Sequence, residues 1–210
     1  MLTGAKSNSD LRATAREKLK GNWGKSILTV VIYIILTVLI NGGSQLESIG
    51  WLVGLLTLVL SGAWSAGLLT YFIHVTRQEV LGVKLLFSQL PRLIPFFILL
   101  LIQAIFVLLW TLLLIIPGII AGLSYSQSFY ILIDNPKMKA SDAINRSKEM
   151  MQGQKWKYFL LNLSFIGWYL LCIPTLGIGF LWLMPYIYTT QASFYEDLRL
   201  RYEEQQTRMS

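Results

Sequence analysis

One cysteine and one histidine in 210 residues leave little for metal or redox chemistry. Cys172 has no second thiol to pair with, and inside an apolar run it reads as a small packing residue. A lone His74 excludes multi-histidine zinc sites and the HExxH motif. Charge is scarce as well: 14% of residues are Asp, Glu, Lys or Arg, against about 25% in an ordinary soluble domain. No G-x-S-x-G elbow, P-loop or dinucleotide fingerprint occurs. Carboxylate-pair hydrolysis needs two acids converging on one pocket, whereas the acids here are scattered between apolar blocks. The sequence therefore offers no catalytic residue, no metal site and no cofactor site, and it reads as non-enzymatic.

What is present is apolar length. Hydrophobic residues make up 54% of the chain, and 41 uncharged residues separate Arg92 from Asp134, with 38 between Lys157 and Glu196. A helix crosses the ~30 Å hydrocarbon core with ~20 residues, so each block is long enough for a hairpin of two spans. The stretch from Ser26 to Thr76 is similar. Such lengths match bilayer spans rather than the core helices of a soluble protein. The expectation is an all-α polytopic membrane protein with six transmembrane helices in three hairpins, at about 26–41, 49–74, 93–116, 117–133, 157–173 and 176–194. A cytoplasmic amphipathic helix within 1–25, another at about 140–152 and a cytoplasmic tail at 195–210 complete the outline. The basic segment before Ile27 is too long for a leader and no A-x-A site follows it, so the first apolar run reads as a retained span.

Orientation follows from the 18 Lys and Arg residues, all of which fall before the first span, between spans two and three, between spans four and five, or after span six. The connections at 42–48, 117–118 and 174–175 hold none, and Glu47 is the single acid there. The positive-inside rule places both termini and every basic loop in the cytoplasm, at a charge of +8 inside and −1 outside. The partner implied by this basic face is the anionic lipid headgroup layer, with Lys18, Lys20, Lys25, Lys155 and Lys157 beside the spans. Nucleic acid is not implied, because no basic domain stands apart from the membrane.

An internal repeat is visible. "REKLKGNWGK" at 16–25 aligns without gaps on "KEMMQGQKWK" at 148–157, each leading straight into a span, and a weaker third copy starts near Lys84. The unit reads as amphipathic helix, glycine break, Trp/Lys anchor and hairpin. The first amphipathic helix is expected to begin at Ser9 or Asp10 and to carry Leu11, Ala15 and Leu19 as one stripe. Either lipid or the bundle can cover that stripe.

Uncharged polar residues inside the spans define a possible polar path: Gln103, Ser124, Gln127, Ser128 and Asn162. The competing reading is interhelical hydrogen bonding, common in membrane bundles. No ionisable group lies at mid-span, where transport chemistry usually leaves one. His74, Arg77 and Glu79 form a small polar set at the inner end of span two. Gly50, Gly54, Gly62, Gly67, Gly118 and Gly122 mark close helix packing, and span two, richest in small residues, is expected to be central to the bundle or to a dimer interface. Gly177 and Gly179 bring the sixth span close after the turn at Cys172–Thr175, and Pro185 is expected to kink that span.

The stretches "MMQGQKWKYFLLNLSFIGWYLL" and "TLGIGFLWLMPYIYTTQASFYEDL", with "SFIGW", "GIG", "MPY" and "FYEDL" as hallmarks, resemble the bacterial integral-membrane family known as domain of unknown function nine-seven-five. The resemblance runs over most of the chain and is densest between Ala143 and Leu198. It implies a multi-span protein typical of Gram-positive bacteria, in the cytoplasmic membrane, with no established reaction and no catalytic residue to carry over. The functional expectation is an accessory or regulatory protein that engages another membrane protein, a second copy of itself or lipid. A small permease built from repeated hairpins is the alternative.

Overall fold

The computed structural model describes residues 6–42 and 50–209. These residues fold into ten α-helices and two short 3-10 segments, with no strand among them. Helix α1 (Asn8–Leu19) is followed by α2 (Trp23–Gly42) and α3 (Gly50–Arg77). The 3-10 turns Val83–Phe87 and Leu90–Arg92 lead into α4 (Leu93–Leu113), α5 (Ile115–Tyr125) and α6 (Ser128–Asp134). Then come α7 (Ala140–Met150), α8 (Lys155–Leu163), α9 (Ile166–Cys172) and α10 (Phe180–Met209). The expected outer loop with Glu47 lies outside the described residues.

Four helical stretches are long and apolar enough to cross a membrane: Trp23–Asn41, Gly50–Arg77, Val83–Leu113 and Ile115–Asp134. The segments expected as spans five and six are not among them. Asn162 and Ser164 return their side chains to the carbonyls of Tyr158 and Leu161, which breaks the fifth segment into α8 and α9. The same physics divides the fourth: the hydroxyls of Ser124, Ser126 and Ser128 bond the carbonyls of Ile120, Leu123 and Tyr125, and the helix turns between α5 and α6. The sixth segment lies in α10, a helix of 30 residues that turns polar and charged after Tyr188. Helix α10 runs parallel to α3, with Tyr188 stacked on Phe72 at 5.3 Å and Glu196 on Arg77 at 2.6 Å. From Phe180 to Glu196 is 16 residues, against 27 from Gly50 to Arg77, so α10 rises only ~24 Å above that contact where α3 rises ~40 Å. The hydrocarbon core is ~30 Å thick. Beyond Glu196 the expected tail is no separate segment, because α10 continues without a break to Met209.

Several boundaries move. Helix α1 is capped two or three residues earlier than expected: Ser7 is its N-cap, accepting from the Asp10 amide while Asp10 accepts from the Ser7 amide, both at 3.1 Å. The turn between α4 and α5 is at Leu114, in an extended conformation, rather than at 117–118. Pro117 then occupies the first turn of α5, where no intrahelical donor is needed. The turn before α10 extends to Gly179, with Gly177 at φ 85.

The stripe of α1 is covered by protein, not lipid. Leu11, Ala15 and Leu19 are fully buried, mainly against α10. Its counterpart α7 buries Ala143, Ser147 and Met151 against α6, α4 and α5. At the offset of the sequence repeat these are the same three positions. Gly21 and Gly153, also equivalent, both adopt left-handed conformations, φ 82 and φ 71, which ends each helix and starts the next.

Helix α3 is the centre, touching α1, α2, α4, α6, α10 and the 3-10 segments. Packing is uneven along its length. Its C-terminal half buries Tyr71, Phe72, Ile73 and Val75, while Trp51, Leu52, Leu55 and Leu56 at its start are exposed. The same holds around the α4–α5 turn, where Leu112, Leu113, Ile115 and Ile116 are each about 70% exposed.

Candidate functional site

Charges converge where α3, α6 and α10 end their packed halves. Arg77, the last residue of α3, holds Asp134 of α6 at 2.6 Å and Glu196 of α10 through both Nε and Nη2. The Tyr195 hydroxyl donates to the same Asp134 oxygen at 2.9 Å. Arg199, one turn along α10, pairs with Glu196 at 2.9 Å and Glu203 at 3.1 Å and lies 3.8 Å from Asp134. Two arginines thus face the two inner acids. The cluster ties three helices that are far apart in sequence.

An open cavity of about 430 Å³ sits over this cluster, lined by Arg77, Asp134, Arg199 and Glu203 with Glu79 and Arg146. Arg146 of α7 also borders a second cleft of about 610 Å³ between α7 and the last turns of α10. Its guanidinium lies 5.1 Å from the Tyr202 ring, and its Nε has no hydrogen-bond partner. Tyr202 is fixed by donation to Glu149 at 2.8 Å, and that carboxylate, with the burial that outweighs it, raises the phenol above its ordinary pKa. The arrangement presents charged and polar groups of both signs to these openings.

The sequence reading grouped Arg77 with His74 and Glu79, and the structure divides that set. His74 Nδ1 meets Glu79 at 2.9 Å, but Arg77 turns to Asp134 and Glu196. Spacing favoured the local partner, because Asp134 and Glu196 stand 57 and 119 residues away. A signal existed: each of these charges follows the apolar part of an inner helix.

Of the polar-path residues, Ser124, Gln127 and Ser128 meet at the α5–α6 break. Ser147 of α7 donates to the Ser124 carbonyl at 2.7 Å and accepts from the Gln127 amide at 3.2 Å. The Gln127 side chain donates to Ser126, and its carbonyl oxygen is buried without a partner. Gln103 joins them, donating at 2.9 Å to the Tyr125 carbonyl that Ser128 also uses. Asn162 accepts from Gln191 at 2.9 Å.

The glycines fall into three kinds. A Cβ on Gly62 would stand 2.7 Å from the Phe96 carbonyl, one on Gly67 would collide with the Leu86 carbonyl, and one on Gly118 with Thr111. A Cβ on Gly179 would meet the Cys172 sulfur at 2.9 Å. Gly54 and Gly122 have nothing within 4 Å, and Gly177 serves the turn through its positive φ. Gly50 is the first residue of α3. Among the basic residues, Lys20 and Lys25 are exposed and Lys18 and Lys155 half-buried. Lys157 has protein partners: its amine lies 3.7 Å from Asp197 and 5.6 Å from the Phe194 ring, and Asn8 of α1 donates to its carbonyl.

A family model described as protein of unknown function (DUF975) matches residues 1–121 and 111–202. No curated protein and no solved structure matches the chain.

Proposed function

The chain belongs to the DUF975 family, and from that premise we propose a non-enzymatic accessory protein of the bacterial cytoplasmic membrane that engages a second membrane protein through its unpacked apolar helix ends. Both termini and the ionic cluster face the cytoplasm. The six apolar segments form three hairpins, of which the third enters the bilayer only part way. Lipid covers the apolar ends when no partner does, and a second copy of the chain is one candidate partner.

One observation carries this reading: the contrast along the helices. The inner half is closed by ion pairs and buried aromatics, whereas the outer halves of α3, α4 and α5 leave large side chains exposed. A continuous apolar surface of this kind needs a lipid or protein cover. In-cell crosslinking from photoreactive residues at Leu56 and Leu112, followed by co-purification, tests it. Recovery of one specific membrane protein, or of a crosslinked dimer, is expected. Adducts to lipid alone at both positions would overturn the partner reading.

The second reading, a small permease, is favoured by the buried, unpaired carbonyl oxygen of Gln127 beside Ser124 and Ser128. Gln127→Leu and Ser124→Ala variants with growth and uptake identical to the parent would remove its support.

A further inference from the structure

Between α1, the start of α2 and the α9–α10 turn lies a groove of about 340 Å³ that none of the preceding roles uses. Its size is in the range of small-ligand sites. Trp23, Trp168, Trp182 and Leu183 wall it, and Arg16 and Tyr186 lie on the same lining. Arg16 is exposed and, among the described residues, takes part in no ion pair. Arg12 stands one helical turn before it, on the same face of α1.

Two properties fix the class of occupant. The walls are apolar and aromatic, and the lining includes the exposed Leu171, 64% accessible. A wholly polar anion would gain nothing from such walls, whereas a chain would continue along them. The polar contribution is cationic, with no acid set against it. Tryptophan prefers the boundary between apolar and wet surroundings, and three of the seven tryptophans gather here. The short third hairpin explains why the groove exists: the α9–α10 turn stops beside α1 instead of rising past it, leaving its tryptophans level with the arginines of α1.

We propose that this groove is a binding site for an anionic phospholipid, with the phosphate on Arg16 and an acyl chain against Trp168 and Trp182. The proposal rests on the membrane reading above and adds to it a particular lipid class at a particular place.

The test uses the full chain reconstituted in vesicles of phosphatidylcholine into which chain-brominated phosphatidylglycerol or chain-brominated phosphatidylcholine is titrated. Bromine quenches tryptophan on contact, and the Trp182 share is the difference between the parent and W182F. Phosphatidylglycerol is expected to quench that share at about five-fold lower lipid fraction than phosphatidylcholine, the effect of one basic residue near an anionic headgroup. R16Q is expected to abolish the preference, while R16K and K84Q, the latter an exposed charge elsewhere, keep it. Equal quenching by the two lipids, or a preference unchanged in R16Q, would overturn the site and leave the membrane reading standing. A chain that fails to float with the vesicles would overturn the membrane reading, and the site with it.

Discussion

At the scale of single residues, Arg77 does the most. From α3 it ion-pairs with both α6 and α10, and its partners Asp134 and Glu196 are about 85% shielded. Exposed pairs contribute ~0–1 kcal/mol and breaking a fully buried one costs ~3–5 kcal/mol, so Arg77→Gln is expected to lose about 2 kcal/mol. Denaturant unfolding in detergent micelles measures this, and Arg77→Leu combined with Glu196→Leu is expected to cost less than the sum of the single changes. Asp10 offers a smaller effect with a definite sign. Its hydrogen bonds with Ser7 lower its carboxyl pKa below the usual value. A depressed folded pKa gives stability that is present above the unfolded pKa, about 3.9, and lost as pH falls through the folded one. The protection of amides at the start of α1, measured relative to the intrinsic exchange rate at each pH, is therefore expected to fall below about pH 4 and to stay constant there in Asp10→Asn.

Elements were legible where a period or a breaker settles them. The stripe of Leu11, Ala15 and Leu19 and the position of α7 follow from helical spacing. Covering of that stripe by α10 does not, because lipid and protein are equally apolar. The divisions between α5 and α6 and between α8 and α9 were hidden because serine and asparagine bend a helix only when their side chains turn back to its carbonyls, a rotamer choice that composition does not reveal. A further pattern passed unused: Thr70-Tyr71-Phe72, Ser128-Phe129-Tyr130 and Ser193-Phe194-Tyr195 repeat a hydroxyl and two aromatics on α3, α6 and α10. All three hydroxyl residues are buried; Thr70 and Ser193 donate within their own helices and Ser128 to the last residue of α5, and Tyr130 stacks on Tyr195 at 5.1 Å. Gly67 is the sharpest test at this scale. Gly67→Val is expected to displace the 3-10 segment from α3 and lower the melting temperature by several degrees, whereas Gly54→Ala, facing open space, leaves it unchanged. Gly21→Ala and Gly153→Ala are each expected to cost about 1 kcal/mol, the strain of a left-handed non-glycine residue, with equal losses supporting their equivalence.

For the whole molecule, four of the six expected spans are matched by helical stretches long and apolar enough to cross a membrane. Hydropathy alone cannot measure how high a helix stands beside its neighbour; the contacts of Tyr188 and Glu196 with α3 do. Cysteine accessibility decides the matter in a Cys172→Ser background. Leu114→Cys, at the α4–α5 turn, is expected to react with a membrane-impermeant maleimide added outside intact cells. Leu176→Cys, at the α9–α10 turn, is expected to stay unlabelled until detergent is added. Equal labelling of both would show that the third hairpin crosses fully.

Helix α10 links these scales through its length. Beyond Pro185 it continues for 24 residues to Met209, a rod of ~36 Å. Treated as a lever with its fulcrum at that proline, a tilt of ~5° carries its far end by ~3 Å over this length. A displacement of that size would alter the opening between α7 and the last turns of α10. A change in bilayer thickness that tilted one end of the rod would then change the aperture at the other.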